Sequence, residues 1–341
     1  MKLSLLLIPI FLFLLASCSP DNSKKAIKSA FPKTVQRLDS LKQTVFLPTL
    51  ETNVDSKKNA IYAASLLMAW DEIKNVIQEP IIKIESDELR QINQSKSHKD
   101  VLTKDEYHTE LQSLTDHTIA VKASFKKALP FSHPLFKDSL SLKFNGKSVV
   151  SFGVDGSSEF VDIVYYNHDN DFALALKPKD RKHEIILVKT SFARNYQITN
   201  QLLELSNKEA GFQKARNPKN YWKYALMDED KIRIPIIRFN IATNYTGIEG
   251  THFFTQHKKR EILTLYQRTA FVLNEKGAEV ESETIMAVTD STSAVMERPQ
   301  PKNLIFDKPF LILLKRTDSK NPYFAMFVAN NELMEKPSSP K

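Results

Sequence analysis

The sequence predicts an α+β domain, with helices mainly in the N-terminal part and antiparallel β-sheets mainly in the C-terminal part, completed by an extended loop. Three observations predict this. Apolar residues recur at helical spacing mainly early, between about residues 56 and 114. From Ile119 onward, short apolar runs alternate with turn residues. Late in the chain, Ala278 to Glu297 runs without a glycine or proline and alternates with a period of two. Helices first and strands afterwards is the order of an α+β fold.

Taken in order, the chain opens on Met1-Lys2 and an apolar run from Leu3 to Leu15, followed by Leu15-Ala16-Ser17-Cys18. A charged start, a run too short to span a bilayer, and small residues before a cysteine describe a secretory signal. The stretch resembles a bacterial lipoprotein signal, which implies cleavage after Ser17 and lipid on Cys18. It also implies a protein anchored in the bacterial cell envelope, at the outer membrane, facing the periplasm or the surface. Residues 18–42 read as a lipidated, partly helical tether, 43–331 as a single domain and 332–341 as a polar tail. Cys18 is the only cysteine, so the folded domain has no disulfide, thiol nucleophile or thiolate metal site.

Ser56–Glu79 reads as a helix, with Asp55 or Ser56 as cap, Ala60, Ala63, Leu67, Trp70, Ile73 and Ile77 as its stripe, and Pro80 as its stop. More polar helical stretches follow near Ser86–Gln94 and Lys104–Leu114. Asn145-Gly146, flanked by Leu140, Leu142, Phe144 and by Val149, Val150, Phe152, is a hairpin signal. Phe160–Tyr166 and Phe172–Leu176 read as strands about an Asn167–Asp171 turn, and Glu184–Val188 as another. Asn200–Leu205 reads as helix and Lys231–Ile241 as strand. Pro309–Lys315 and Tyr323–Val328 complete the set.

The formal charge is +8, or +7 once residues 1–17, which carry only Lys2, are removed. Basic runs at Lys177–His183 and Lys258–Arg260 favour anionic surfaces, but each reads first as a solvated loop. Export argues against nucleic acid as a partner. With seven glycines, the chain holds no phosphate loop or dinucleotide fingerprint, and no Gly-x-Ser-x-Gly elbow. His252 and His257, five apart, suit neither one helix face nor one strand face as metal ligands. Asn167–Asp171 lacks the glycine and distal glutamate of a calcium loop. Arg216–Tyr224 interleaves Arg216, Lys219 and Lys223 with Tyr221, Trp222 and Tyr224; it reads as core or, if exposed, as a glycan or anion platform. Neither an enzyme nor a cofactor is called for.

The most informative stretch is Thr264–Ala287. An apolar strand ending in Phe271, Val272 and Leu273 leads into Asn274-Glu275-Lys276-Gly277-Ala278-Glu279. Ala278, Val280, Ser282, Thr284 and Met286 then form one face of an extended segment, and Glu279, Glu281, Glu283 and Ile285 the other.

Three pieces in this order resemble the serpin family. Thr269–Glu279 is similar to the strand and proximal hinge before the reactive-centre loop. Phe306–Leu314 is similar to the strand entered after that loop, and Asn321–Asn330 to the closing strand; the likeness covers roughly residues 160–331. Met326 departs from it, standing where the family has glycine. The resemblance implies a protease inhibitor whose loop is offered as bait and, once cut, inserts as a strand while the acyl-enzyme is trapped. It implies a hinge of Glu275, Gly277, Ala278, Glu279, Val280, Ser282 and Thr284. The scissile bond is then expected between Asp290 and Arg298, near Ser291-Thr292 by counting, with Met296 or Arg298 as alternatives on a longer loop. Its partner would be a target protease, and the protein a monomer. The rival expectation is a non-inhibitory binding or scaffold lipoprotein of the same fold, whose partner is a glycan or an envelope protein.

Overall fold

A computed structural model describes residues 31–114, 119–278 and 300–337. Its largest sheet runs from edge to edge through β11 (Val161–His168), β12 (Asp171–Leu176), β13 (His183–Lys189), β22 (Phe310–Arg316), β23 (Phe324–Val328), β4 (Asn59–Ala63) and β2 (Thr44–Leu47), strands being numbered along the chain. A four-stranded sheet is ordered β21 (Asn303–Ile305), β15 (Lys231–Pro235), β10 (Lys147–Asp155) and β9 (Phe136–Phe144). A three-stranded sheet is ordered β1 (Gln36–Arg37), β16 (Ile237–Asn244) and β19 (Tyr266–Leu273). Smaller ladders join β18 (Lys259–Glu261), β17 (His252–Thr255) and β5 (Ile81–Ile84), and pair β14 (Asn195–Gln197) with β3 (Asn53–Asp55). Two more pair β20 (Gly277–Ala278) with β8 (Leu129–Pro130), and β6 (Tyr107–Leu114) with β7 (Ile119–Phe125). The α-helices are α1 (Ser65–Ile77), α2 (Asp87–Gln94) and α3 (Ile198–Lys214).

The centre of the large sheet is buried on both faces. Phe310 to Leu314 in β22 and all of β23 are buried, which accounts for near-continuous apolar sequence where alternation would mark a half-exposed strand. Phe306 packs against both Phe172 and Phe310, with ring centroids 5.1 and 5.0 Å apart. Phe271 of β19 stacks on Phe324 of β23 at 4.6 Å, so the three-stranded sheet is keyed to the central one by an aromatic pair. Each such side chain removed from water contributes about 1.5–3 kcal/mol.

Several expected elements form as read. Asn145 and Gly146 take positive φ of 46° and 81°, the geometry a two-residue hairpin demands, and join β9 to β10. Ser86 caps α2 by accepting the Leu89 backbone N–H. The expected helix over 56–79 is corrected: Asn59–Ala63 is strand β4, and α1 begins only at Ser65. Its Ala60/Ala63 stripe suits a helix, but all five residues are buried between β23 and β2, where a strand satisfies both sets of backbone groups. Lys104–Leu114 is likewise not helical, since Tyr107–Leu114 forms a hairpin with β7.

Lys231–Ile241 is two strands in different sheets. Pro235 lacks the donor needed to continue a ladder, and after Ile236 the chain crosses from the four-stranded to the three-stranded sheet. Strands begin as early as Gln36 and the longest α-helix among the described residues lies at 198–214, so helices are less confined to the N-terminal part than expected. The sheets are mixed: β2 with β4, β15 with β21, and β1 with β16 are parallel.

Two segments expected to be polar appendages carry packed residues. Gln36 and Arg37 pair with β16, and the Pro32 carbonyl accepts from Asn240 Nδ2 at 2.8 Å. Leu333 and Met334 are buried. The Glu332 carboxylate accepts from the Lys42 and Gln43 backbones at 2.9 and 3.1 Å and from Thr44 Oγ1 at 2.7 Å, tying both ends of the domain together.

Candidate functional site

The candidate site begins where β19 ends. Leu265 O accepts from Tyr245 N, and β16 and β19 stay in register from Ile237↔Leu273 to Asn244↔Tyr266. Odd-numbered residues of β19 therefore exchange backbone bonds with β16, and even-numbered ones direct theirs to the opposite edge. Asn274 is even, and it exchanges both bonds with Gly277, at 3.2 and 3.1 Å. Its side-chain Oδ1 also accepts from Lys276 N at 3.0 Å, which holds the turn closed. Gly277 thus brings the chain back onto the edge of β19 that no other strand occupies among the described residues.

Gly277 has no room for a side chain. Its φ is +114°, and a Cβ would sit 2.4 Å from Leu129 O, 2.8 Å from Phe131 N and 2.9 Å from Pro130 Cα. The second wall is β8. Gly277 and Ala278 pair with Pro130 and Leu129, the Phe131 N–H donates to Lys276 O at 3.0 Å, and Leu135 N–H to Glu275 O at 2.7 Å. Gly277 and Ala278 are buried between these walls and Glu275 is half-buried.

The chain re-enters the described structure at Gln300 and is pinned within three residues. Lys302, fully buried, sets its Nζ 2.6 Å from Asp230 Oδ2 and donates to the carbonyls of Trp222 and Ala225 at 2.6 and 3.1 Å. Asp230 Oδ1 accepts from Lys302 N at 2.8 Å, and the Lys231 N–H donates to Lys302 O at 3.0 Å. A buried cation with this many partners fixes geometry as well as balancing charge. The segment between Ala278 and Gln300 therefore joins two anchored ends: the edge of the three-stranded sheet, and β21 at the edge of the four-stranded sheet.

A second charged node ties the β6 hairpin to the central sheet. Glu106 accepts from His183 Nε2 at 2.8 Å, from Arg316 Nη1 at 2.9 Å, from Thr103 N at 2.9 Å and from Lys127 Nζ. Burial alone would raise its carboxyl pKa, but the bonds from Lys127, Thr103 and Arg316 outweigh it and hold the carboxyl well below the usual range. Burial pushes the His183 imidazole below its ordinary pKa, against the opposing effect of Glu106.

Of the residues singled out by sequence, Glu275, Gly277 and Ala278 come together at the turn. Glu279, Val280, Ser282, Thr284, Ser291, Thr292, Met296 and Arg298 lie outside the described residues, as does Cys18. Met326 is fully buried in β23. His252 lies on β17 between Glu85 and Glu261, at 3.2 and 3.6 Å; among the described residues no group of side chains is arranged to hold a metal ion. Asp171, in the Asn167–Asp171 turn, is bound to Tyr165, Asn167 and Lys208. The Arg216–Tyr224 stretch is divided: Trp222 packs edge-on against Tyr166, whereas Tyr221 is 44% exposed. Sequence reasoning missed Leu129–Phe131 and the Asp230–Lys302 pair. Leu129–Phe131 holds no charge, Asp230 sits within the charged run Asp228–Lys231, and no local pattern marks Lys302 as buried.

Neither a protein-family model nor a curated protein sequence matches the chain. Solved structures with a similar arrangement include a thyroxine-binding globulin in complex with thyroxine, at 15% identity and TM-score 0.35, covering 64% of this chain and 59% of that one. A serpin from the trematode Schistosoma haematobium aligns at 13% identity and TM-score 0.38, over 64% of this chain and 58% of that one. Human glycosylated kallistatin aligns at 13% identity and TM-score 0.37, over the same shares of 64% and 58%. The chain spans less than two thirds of the length of each.

Proposed function

We propose that this chain is a lipid-anchored, serpin-like protein of the bacterial cell envelope that inhibits a protease through cleavage and insertion of the loop after Gly277. The observation that carries the reading is the Asn274–Gly277 turn, which starts an antiparallel ladder on the open edge of β19. Continuing that ladder sets Leu273 opposite Ala278, Phe271 opposite Val280, Thr269 opposite Ser282 and Gln267 opposite Thr284. Leu273, Phe271, Thr269 and Gln267 are all buried, so the small and apolar series would enter the core face. The protease serine would attack a loop peptide bond between Asp290 and Arg298, forming an ester to the hinge-side fragment and releasing the new amine on the other. Insertion would carry that acyl-enzyme with it. Lipid on Cys18 would hold the inhibitor at the membrane.

The test uses the chain from residue 18 with Cys18→Ser, cut once within 290–298. Insertion raises the thermal midpoint well beyond the roughly 2–4 °C that 1 kcal/mol gives a domain of 150–250 residues. In the same background, Thr269→Cys with Ser282→Cys occupies a non-hydrogen-bonded pair, whose short Cα separation suits a disulfide. It should cross-link only after the cut, and the one-residue-shifted pair Thr269→Cys with Glu281→Cys should not. A cut chain with an unchanged midpoint and no cross-link excludes insertion. With insertion shown, a protease complex that survives denaturing electrophoresis establishes trapping, and its absence across serine proteases leaves a non-inhibitory protein.

A further inference from the structure

A second site lies apart from the loop. A cleft of about 370 Å³ opens between the β10–β11 turn and the 3-10 segment Pro218–Lys223 with the residues after it. Its walls present Ser157, Ser158, Glu159 and Asp162 on one side and Tyr221 and Tyr224 on the other.

The aromatic wall is built before any ligand arrives. Tyr224 stacks on Phe212 at 4.0 Å with the rings 23° apart, and its hydroxyl donates to Phe212 O at 2.6 Å. The Arg216 guanidinium lies 5.6 Å from the Tyr221 ring centre and 5.4 Å from that of Tyr224. Asn217 and Asn220 cap the segment reciprocally, each side chain accepting from a backbone N–H, at 3.0 and 2.9 Å. On the facing wall Gly156 turns at φ +89° and donates to Asp230 O at 2.8 Å, which ties the turn to the buried pair beneath. Tyr221 nonetheless remains exposed, although its neighbour Trp222 is packed away.

We propose that this cleft binds a neutral pyranose ring of a glycan. A tyrosine face offers a flat apolar surface for the C–H face of a sugar, and its ring is large enough to cover one residue. Carboxylate and hydroxyl oxygens opposite it accept from sugar hydroxyls, and bonds to an ionised carboxylate are the stronger kind. Asp162 is paired with the Lys177 ammonium at 2.5 Å, so Glu159 is the carboxylate that faces the sugar and disfavours an acidic one. An apolar ligand would desolvate the Glu159 carboxylate without giving it a donor. The volume lies at the small end of ligand sites, which suits one ring or two and not a long chain. This reading is independent of loop insertion, because none of the residues used belongs to the hinge or its walls.

The test is saturation-transfer NMR on the chain from residue 18 with Cys18→Ser. Its ligands are the methyl glycosides of glucose, galactose, mannose and N-acetylglucosamine, with methyl glucuronide as the charged comparator. At ordinary ligand efficiency a ring of about twelve heavy atoms binds with Kd in the low millimolar range. At least one neutral glycoside should show saturable contact at that strength. Tyr221→Ala should weaken it about tenfold or more and Glu159→Gln several-fold, while Leu263→Ala, a remote exposed substitution, leaves it unchanged. Each variant must melt with the parent. The proposal is overturned if no neutral glycoside saturates below about 50 mM, if the glucuronide binds as tightly, or if neither cleft substitution weakens binding.

Discussion

Replacing Gly277 by alanine tests the geometry of the turn directly. The substitution adds one carbon at φ +114°, which L-residues rarely adopt, at a cost of about 1–3 kcal/mol. That carbon would also lie 2.4 Å from Leu129 O and 2.8 Å from Phe131 N, both backbone atoms that cannot rotate aside. Relief requires drawing β8 away, which breaks the Phe131 N to Lys276 O bond and costs about 0.5–1.5 kcal/mol more. The total is about 1.5–4.5 kcal/mol, reaching the upper range for single substitutions. Gly146→Ala is the control: its φ is +81°, yet no atom lies within 4 Å, so only the local conformational cost of about 1–2 kcal/mol applies. Urea unfolding of both variants measures the difference, and amide exchange at Phe131 and Leu135 reports whether β8 has moved. Equal destabilisation by the two substitutions, with exchange at Phe131 unchanged, would falsify the claim that β8 and the turn are locked together.

Three further outcomes follow from the charged groups. Lys302→Met should destabilise the domain by about 3–5 kcal/mol, because it leaves the Asp230 carboxylate buried without its cation, and adding Asp230→Asn should recover much of that loss in denaturant titrations. The His183 imidazole has its pKa depressed in the folded state, so as pH falls below about 6.5 the unfolded chain takes up a proton that the native chain refuses. Stability should therefore be level above that pH and decline as pH falls below it, a slope read from urea midpoints that His183→Gln flattens. Glu106 contributes in the same direction but lower, its stabilisation being lost as pH falls through and below about 4.5.

What could be read in the sequence was whatever local geometry decides alone. Asn145-Gly146 makes a hairpin because two consecutive positive φ angles permit few other residues, and no distant partner is needed. The helical stretch near Ser86–Gln94 was likewise local, and the structure adds Ser86 as the cap of α2. Asn59–Ala63 was not readable, since its apolar positions fit a helical stripe as well as a buried strand. The choice is made by Phe324–Phe327, which pairs with it from the far end of the chain. Lys231–Ile241 looks like one strand until the two sheets compete for it and Pro235 sets the division. At the candidate site Gly277 was legible only as a hinge position implied by resemblance, and the atoms that forbid a side chain there belong to Leu129–Phe131. Lys302 and Asp230 carry no local pattern at all, because a buried ion pair is defined only by what the fold brings together.

The same pleat bears on the acidic residues after the turn, since burying unpaired carboxylates would count against insertion. On the proposed register Glu279, Glu281 and Glu283 fall opposite Val272, Ala270 and Arg268. Val272 is buried, Ala270 half-buried and Arg268 exposed, so the demand for desolvation falls along the series. Glu283 would meet a guanidinium already oriented by Asn240 Oδ1 at 2.7 Å, and a cross-strand pair of opposite charge is favourable there. Only Glu279 would face a buried neighbour. The cost of seating the loop is thereby concentrated at the first rung beyond Ala278, beside the turn that Gly277 and β8 hold in place. Glu279→Ala should for that reason enlarge the rise in melting temperature on cutting, whereas Glu283→Ala, which discards a charge partner in open solvent, should leave it level or reduce it. The opposite ranking would mean that the strand, if it enters, does so in another register.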